Sequence, residues 1–452
     1  MIKCILKSGW MLIFLFFACT EKEDYKEMLA SHAPLVQANE KLTDLIVHDI
    51  FSPPVASRIY AYPAIAAYEV AVISDPDRFL SLMNQLNGAS PIELELKDAT
   101  YSFPLASLSA FYEVATKMVF SEQEMLSHRD EIYQKIQDGG MPNTLFQRSV
   151  ELGETIAKKI LEYAAKDNYH QSRSFEKYTI KNIPGTWTPT PPAYIEGIEP
   201  NWNKIRTFIL DSADQFIPAP PPPFDTLPES NFYMDAKQVM EAGNQLNAHQ
   251  TDIAYFWDCN PYKMNVKGHV MYAEKKITPG GHWVGIAGIA SKTKGLDWKE
   301  TSETLAVTSL YLFDSFISCW DEKYRSILIR PETYINLHID EQWVPLLQTP
   351  PFPEYTSGHS VVSTAASIAL TQLLGEPFHF VDSTELKYGL GIREFDSFRE
   401  AADEAAISRF YGGIHYMPAI KNGVDQGKAV AQHLSAKINT RRSTLASTGK
   451  NK

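Results

Sequence analysis

Apolar residues recur at helical spacing along most of the chain, and alternating, strand-like runs are nearly absent. The clearest stretch is 144–165, where Leu145, Val150, Leu152, Ile156, Ile160, Leu161 and Ala164 fall on one helical face. The same reading predicts helices over 34–50, 53–72, 105–119, 121–139, 230–246, 252–257, 281–290, 298–329, 357–374, 397–410 and 423–438. Local signals set several boundaries. Ser52-Pro53-Pro54 is a stop followed by an N-cap with proline in the first turn. Ser121 to Glu124 and Ser397 to Glu400 have capping-box spacing, and Gly139-Gly140 ends a helix. The fold expected is all-α, a large helical bundle protein.

Proline and aromatic residues interrupt this pattern between Asp167 and Asn203 and again at Pro218 to Pro223. These stretches read as ordered loops. They divide an N-terminal helical region, 26–225, from a C-terminal bundle, 230–440, unless they pack as a cover over one bundle. The chain begins with Lys3 and Lys7, an apolar run from Trp10 to Phe17, and Ala18-Cys19 before an acidic tether. Residues 1–18 therefore read as a signal peptide; the Ala18-Cys19 ending resembles a bacterial lipobox, which makes it lipoprotein type with Cys19 as the anchor, against plain cleavage near Ala18, and predicts export to the periplasm or outer membrane of a Gram-negative bacterium. No later stretch is apolar for 18 residues, so no transmembrane segment is expected. A net charge of −12 disfavours a nucleic-acid partner. Cys259 and Cys319 are either a disulfide pair or two buried thiols.

Against that acidic background, three clusters between Lys323 and His415 carry locally unpaired cations. Lys323 and Arg330 are seven residues apart on a predicted helix, which points both the same way, and neither has an acidic residue at i±3 or i±4. Unpaired buried cations imply an anion from elsewhere. Ser357-Gly358-His359 opens an apolar helix, placing a capping hydroxyl and a free amide at its N-terminus. Arg409, again without a local acid, is followed through Gly412-Gly413 by His415. Taken singly, each cluster also fits a structural role: surface cations, a plain cap, a core histidine.

Taken together, Lys323-x6-Arg330-Pro331, Ser357-Gly358-His359 and Ser408-Arg409-x5-His415 resemble the motifs of the vanadium-dependent haloperoxidases and type 2 phosphatidic-acid phosphatases. The loop Gly185-Thr-Trp187-Thr-Pro-Thr-Pro-Pro192 resembles the bacterial haloperoxidase branch that includes vanadium iodoperoxidases. The resemblance implies a fold of two four-helix bundles and a vanadate cofactor, with His415 as axial ligand. It implies that Lys323, Arg330 and Arg409 hold equatorial oxygens, that Ser357 and the Gly358 amide bind oxygens, and that His359 is the acid/base. Hydrogen peroxide and halide, iodide first, are the implied substrates. Lys323 is the residue that polarises bound peroxide, and Trp320 and Tyr262 are candidates for the halide pocket wall.

Two departures stand out. Thr356 replaces the usual proline, which is expected to loosen the start of the helix. Ala419 replaces an aspartate that orients the histidine in many members, so a backbone carbonyl or a distant carboxylate such as Asp425 is expected in its place. The lack of that aspartate argues against the alternative, a secreted acid phosphatase with a phosphohistidine intermediate. A third reading, a non-enzymatic surface lipoprotein, would use the aromatic loops around Trp187 and Trp202 as a binding face.

Overall fold

A computed structural model describes residues 23–96, 99–267 and 269–442, so the leader and Cys19 lie outside the described residues. The first half contains α1 (Asp24–Ala30), α2 (Ala33–His48), α3 (Pro53–Ser74), α4 (Phe103–Met118), α5 (Glu122–Asp138), α6 (Asn143–Ala164) and the short α7 (Tyr169–Ser172). The second half contains α8 (Asn231–Asn244), α9 (Ala248–Phe256), α10 (Pro279–Lys294), α11 (Trp298–Ser326), α12 (Pro331–His338), α13 (Gly358–Leu374), α14 (Phe398–Tyr411) and α15 (Met417–Lys437). Two antiparallel hairpins, β1 (Met264–Lys267) with β2 (Val270–Ala273) and β3 (Phe380–Asp382) with β4 (Arg393–Phe395), are the strand pairs among the described residues.

Helices α3, α4, α5 and α6 form one bundle, and α11, α13, α14 and α15 form a second. The two meet where α11 packs on α3, and both helices are buried almost all round because each faces neighbours on every side, α3 with mainly apolar residues and α11 with many Ser, Thr and charged ones. One hydrophobic cluster runs from Tyr25 to Ile438 and includes residues of both bundles. Ser52 caps α3 as its sequence predicts, accepting from the Val55 amide at 3.4 Å. Ser121 does not form the predicted capping box. Its hydroxyl and amide, with the Phe120 amide, go to the Asp49 carboxylate instead, at 2.5, 3.0 and 2.9 Å.

The proline-rich loops are tied down by buried carboxylates. Asp314 on α11 accepts from the backbone amides of Phe208, Ile209 and Leu210 at 2.8, 2.8 and 3.0 Å. Asp167 accepts from Arg58 at 2.6 Å and Tyr62 at 2.9 Å. Trp187 and Trp202 are fully buried, so neither can form the binding face expected of them. Cys259 and Cys319 are both free and buried. Among the described residues no helix is long and apolar enough to cross a membrane.

One correction matters for the site. The predicted helix 298–329 stops at Ser326, and Ile327 takes a left-handed conformation with φ 44°. Residues 327–329 are non-helical and clamped from both sides. The Trp187 amide donates to the Ile327 carbonyl at 2.7 Å, the Ile329 amide to the Gly185 carbonyl at 2.9 Å, and the Glu354 amide to the Leu328 carbonyl at 3.1 Å. Lys323 and Arg330 therefore do not share a helix face. Lys323 sits in the last turn of α11, Arg330 is the N-cap position of α12, and Pro331 starts that helix rather than only ending its predecessor.

Candidate active site

A cleft of about 470 Å³ opens between the start of α3 and the second bundle. Pro53, Tyr262, Trp320, Phe352, Gly358, His359, Arg409 and His415 are among its lining residues. Lys323, Arg330 and Ser357 lie just behind that lining, fully buried. All seven residues of the three motifs are thus brought together, on the end of α11, the start of α12, the N-terminus of α13, and the end of α14 with the turn after it.

His415 is the pivot. Its Nδ1 lies 2.8 Å from Glu354 Oε1, which also accepts from the Tyr416 amide at 2.9 Å. Its Nε2 lies 3.2 Å from Arg330 Nη1. A guanidinium can only donate, so Nε2 is the acceptor nitrogen and Nδ1 carries the proton. Burial first, then the charges of Arg330, Lys323 and Arg409, hold the His415 pKa well below its ordinary value, so the ring is neutral, and its Nε2 lone pair would have to give up the Arg330 contact to bind an incoming group.

Glu354 thus fills the place expected for Asp425 or a backbone carbonyl. Asp425 is on the surface, 3.6 Å from Lys428. The carbonyl of Ala419 instead accepts the Ser357 amide at 3.1 Å. Burial pushes the Glu354 carboxyl up to about 7, opposed by the attraction of Arg330 and Lys323. Its signal in the sequence is a single acid inside the apolar run Pro350 to Tyr355, five residues before His359.

Thr356 does not loosen the start of α13. It is fully buried, its hydroxyl bonds Gln426 Oε1 at 2.6 Å, and its carbonyl accepts from Lys323 Nζ at 2.5 Å. The peptide before it is cis. Ser357 caps α13, accepting from the Ser360 amide at 3.4 Å, and Gly358 is the first helical residue, whose amide has no partner within the helix.

The cations differ in how they are satisfied. Lys323 Nζ donates to the carbonyls of Pro353, Glu354 and Thr356 at 3.1, 3.1 and 2.5 Å, which uses all its N–H groups. Gripping an oxyanion would require it to release one of them. Burial brings its pKa down to about 8. Arg330 donates Nε to the Phe352 carbonyl at 2.9 Å and Nη1 to the Ile414 carbonyl at 2.8 Å, but Nη2 is buried with no partner. Arg409 donates Nη1 to the Trp257 carbonyl at 2.7 Å and has Asp258 4.0 Å from Nη2, while its Nε is buried with no partner. Asp258 is itself shared with Lys276 at 2.7 Å. His359 Nε2 is also buried and unpartnered, and burial followed by repulsion from Arg409 keeps that ring neutral.

Each orphaned buried donor costs about 1–3 kcal/mol, more when charged. A tetrahedral oxyanion in the cleft would satisfy the two guanidinium N–H groups and the α13 N-terminus together. The donor set therefore fits vanadate or phosphate, with His415 Nε2 facing the same place. Trp320 and Tyr262 both line the cleft, as expected of wall residues. Phe352 was not singled out by the sequence. Its ring lies 5.0 Å from both Lys323 Nζ and the Arg330 guanidinium and 5.0 Å from the Trp320 ring, so it braces the cations as well as the wall.

Residues 336–443 match the family model described as the VCPO second helical-bundle domain. No curated protein matches the chain. Among solved structures, a bacterial vanadium-dependent iodoperoxidase is 48% identical, with a TM-score of 0.87, covering 92% of this chain and 98% of that one. Holo and apo forms of a bacterial vanadium-dependent chloroperoxidase, each 16% identical, give TM-scores of 0.63 and 0.62; each covers 85% of this chain, and 92% and 95% of their own. These last two share the fold. With near-half identity over almost the full length of the iodoperoxidase, and a cleft whose donors suit one tetrahedral oxyanion, this chain belongs to the vanadium-dependent haloperoxidase family.

Proposed function

We propose that the chain oxidises iodide with hydrogen peroxide, using vanadate held between Arg330, Arg409, the start of α13 and His415. The observation that carries this reading is the neutral His415, with its proton on Nδ1 against Glu354 and its Nε2 lone pair directed among buried guanidinium groups. Vanadate supplies a Lewis-acid centre that activates peroxide toward a halide. The protein's part is electrostatic and positional. Arg330 Nη2, Arg409 Nε and the Gly358 amide offset the oxyanion's charge from buried positions. His359, neutral at neutral pH, accepts or returns a proton at Nε2. Lys323, with its pKa brought down to about 8, serves as a cation that swings from carbonyl to substrate oxygen.

The iodide preference rests on two supports. The 48%-identical structure is described as an iodoperoxidase. The aromatic wall of Trp320, Phe352 and Tyr262 offers little to replace a halide's water shell, which penalises the weakly hydrated iodide least. Vanadate-reconstituted protein should show a higher kcat/KM for iodide than for bromide; equal or greater bromide activity would contradict the preference.

Glu354 also favours a second reading. The missing aspartate at Ala419 spoke against phosphatase chemistry, and Glu354 now supplies that contact. Protein without vanadate should therefore hydrolyse a phosphate monoester slowly, with inhibition by orthovanadate; no hydrolysis at all would remove this reading. The leader supports export and a lipid anchor at Cys19. Detergent-phase partition of the wild type and its loss in Cys19→Ala check that.

A further inference from the structure

Next to the cleft, which Cys259 helps to line, is a second buried polar cluster that the haloperoxidase reading does not use. Cys259 follows α9, His282 lies in the first turn of α10, and Asp382 and Glu385 come from the β3 hairpin arm. All four are buried, at 2, 0, 0 and 4% exposure. His282 Nδ1 lies 3.6 Å from Cys259 Sγ and 3.3 Å from Glu385 Oε1, and Cys259 Sγ lies 4.0 Å from Glu385 Oε1. The other ring nitrogen, Nε2, lies 2.7 Å from Asp382 Oδ2. Asp382 is fixed in turn by the amide and hydroxyl of Thr384, at 3.0 and 2.7 Å on Oδ1.

We infer that Cys259 Sγ, His282 Nδ1 and Glu385 Oε1 form a binding site for a divalent cation of the zinc class, with Asp382 orienting the histidine. The donor set is one thiolate, one imidazole and one carboxylate, which suits zinc. The spacing agrees. Zinc bonds of about 2.3 Å to sulfur and about 2.0–2.2 Å to nitrogen or oxygen place tetrahedral donors about 3.3–3.6 Å apart. Two of the three observed separations match, and the third is a few tenths of an ångström wide. A metal-bound histidine characteristically gives its other N–H to a carboxylate, and Asp382 provides that contact. Three protein donors leave one position for a solvent oxygen. Cys259 also lines the cleft, which gives the ion a route in. Binding would release the Cys259 proton and the shared proton of the His282–Glu385 contact.

The ion would act on the oxyanion site by position. The His282 ring stacks on the Trp257 indole, with centroids 4.3 Å apart and an 18° interplanar angle. The Trp257 carbonyl accepts from Arg409 Nη1 and is the backbone partner of His359. Cross-linking Cys259, α10 and Glu385 therefore fixes the segment 257–259 that holds Arg409 and His359.

The test uses the purified full chain, stripped with chelator and dialysed against zinc or cobalt(II) alone. The expected result is one metal per chain, with cobalt giving a thiolate-to-metal charge-transfer band and the intense visible bands of a tetrahedral site. That band should vanish in Cys259→Ala and persist in Cys319→Ala. Vanadate affinity should fall on metal removal and return on reloading. Should Cys259→Ala fail to fold, the wild-type and Cys319→Ala spectra still decide the matter. Absence of stoichiometric metal and of the charge-transfer band overturns the site and leaves His282 as an imidazolium between two carboxylates. A band that persists in Cys259→Ala or vanishes in Cys319→Ala overturns it as well.

Discussion

Buried charge is handled in opposite ways in two parts of this molecule. In the scaffold, Asp314 receives three backbone amides and Glu69 receives the Ser81 hydroxyl with the amides of Leu82 and Met83, so these carboxylates are well satisfied internally. At the cleft, Arg330 and Arg409 are just as buried and His359 is half-buried, yet Nη2, Nε and Nε2 respectively have no partner. Scaffold charges close loops onto helices. The cleft charges are held in place by part of their hydrogen-bonding capacity and keep the remainder for a ligand. Burial alone does not separate these examples; what sets the cleft apart is that several unpartnered donors converge on one cavity, whereas Arg206 Nε and Arg393 Nε are isolated cases elsewhere.

Five substitutions break or sharpen that contrast. The largest effect on catalysis among them is expected of His359→Ala, which removes the acid/base at the cleft: a fall of about 10²–10⁴ in kcat with stability little changed, read from steady-state iodide oxidation. Next is Glu354→Ala, expected to weaken vanadate binding about 10- to 100-fold by freeing the His415 ring.

Glu354 also predicts a pH signature. Its folded pKa of about 7 is raised from 4.5, so the folded state binds the extra proton between those values. Its contribution therefore makes the protein more stable as pH falls from 7 to 4.5. Vanadate affinity should move the other way, dropping below pH 7 as the carboxylate that holds His415 is lost. Glu354→Gln should flatten both trends; an unchanged affinity profile in that variant would remove Glu354 from this role.

Asp314→Ala is the scaffold counterpart. It orphans three amides, each costing about 1–3 kcal/mol, so the melting temperature should drop sharply while vanadate affinity per folded molecule stays unchanged. The smallest effect is expected of Asp425→Asn. That carboxylate is exposed and paired only with Lys428, so stability and activity should both stay within error.

Much of this contrast was legible in the sequence, and the unread part has a common cause. Helical spacing and caps located most of the helices, and the three motifs located the cations, the capped α13 N-terminus and both histidines. What i±3 and i±4 neighbours cannot show is a partner from another element. Lys323 looked unpaired because its three carbonyl partners lie about thirty residues ahead. Glu354 went unread because its contact with His415 spans 61 residues. The break at Ile327 was hidden for the same reason: Ile-Leu-Ile continues a helical pattern, and only clamping by Gly185, Trp187 and Glu354 pulls it into a non-helical segment. The cluster around His282 gathers residues separated by up to 126 positions, of which the sequence marks Cys259 alone, and only as a disulfide partner or buried thiol.

Equilibrium binding of orthovanadate to the wild type and to His415→Ala tests the central claim most directly. The account predicts one vanadate per wild-type chain, displaced competitively by phosphate, and affinity lost in the variant while its fold is kept. Wild-type protein that binds no vanadate, or binding that survives His415→Ala unchanged, would contradict it.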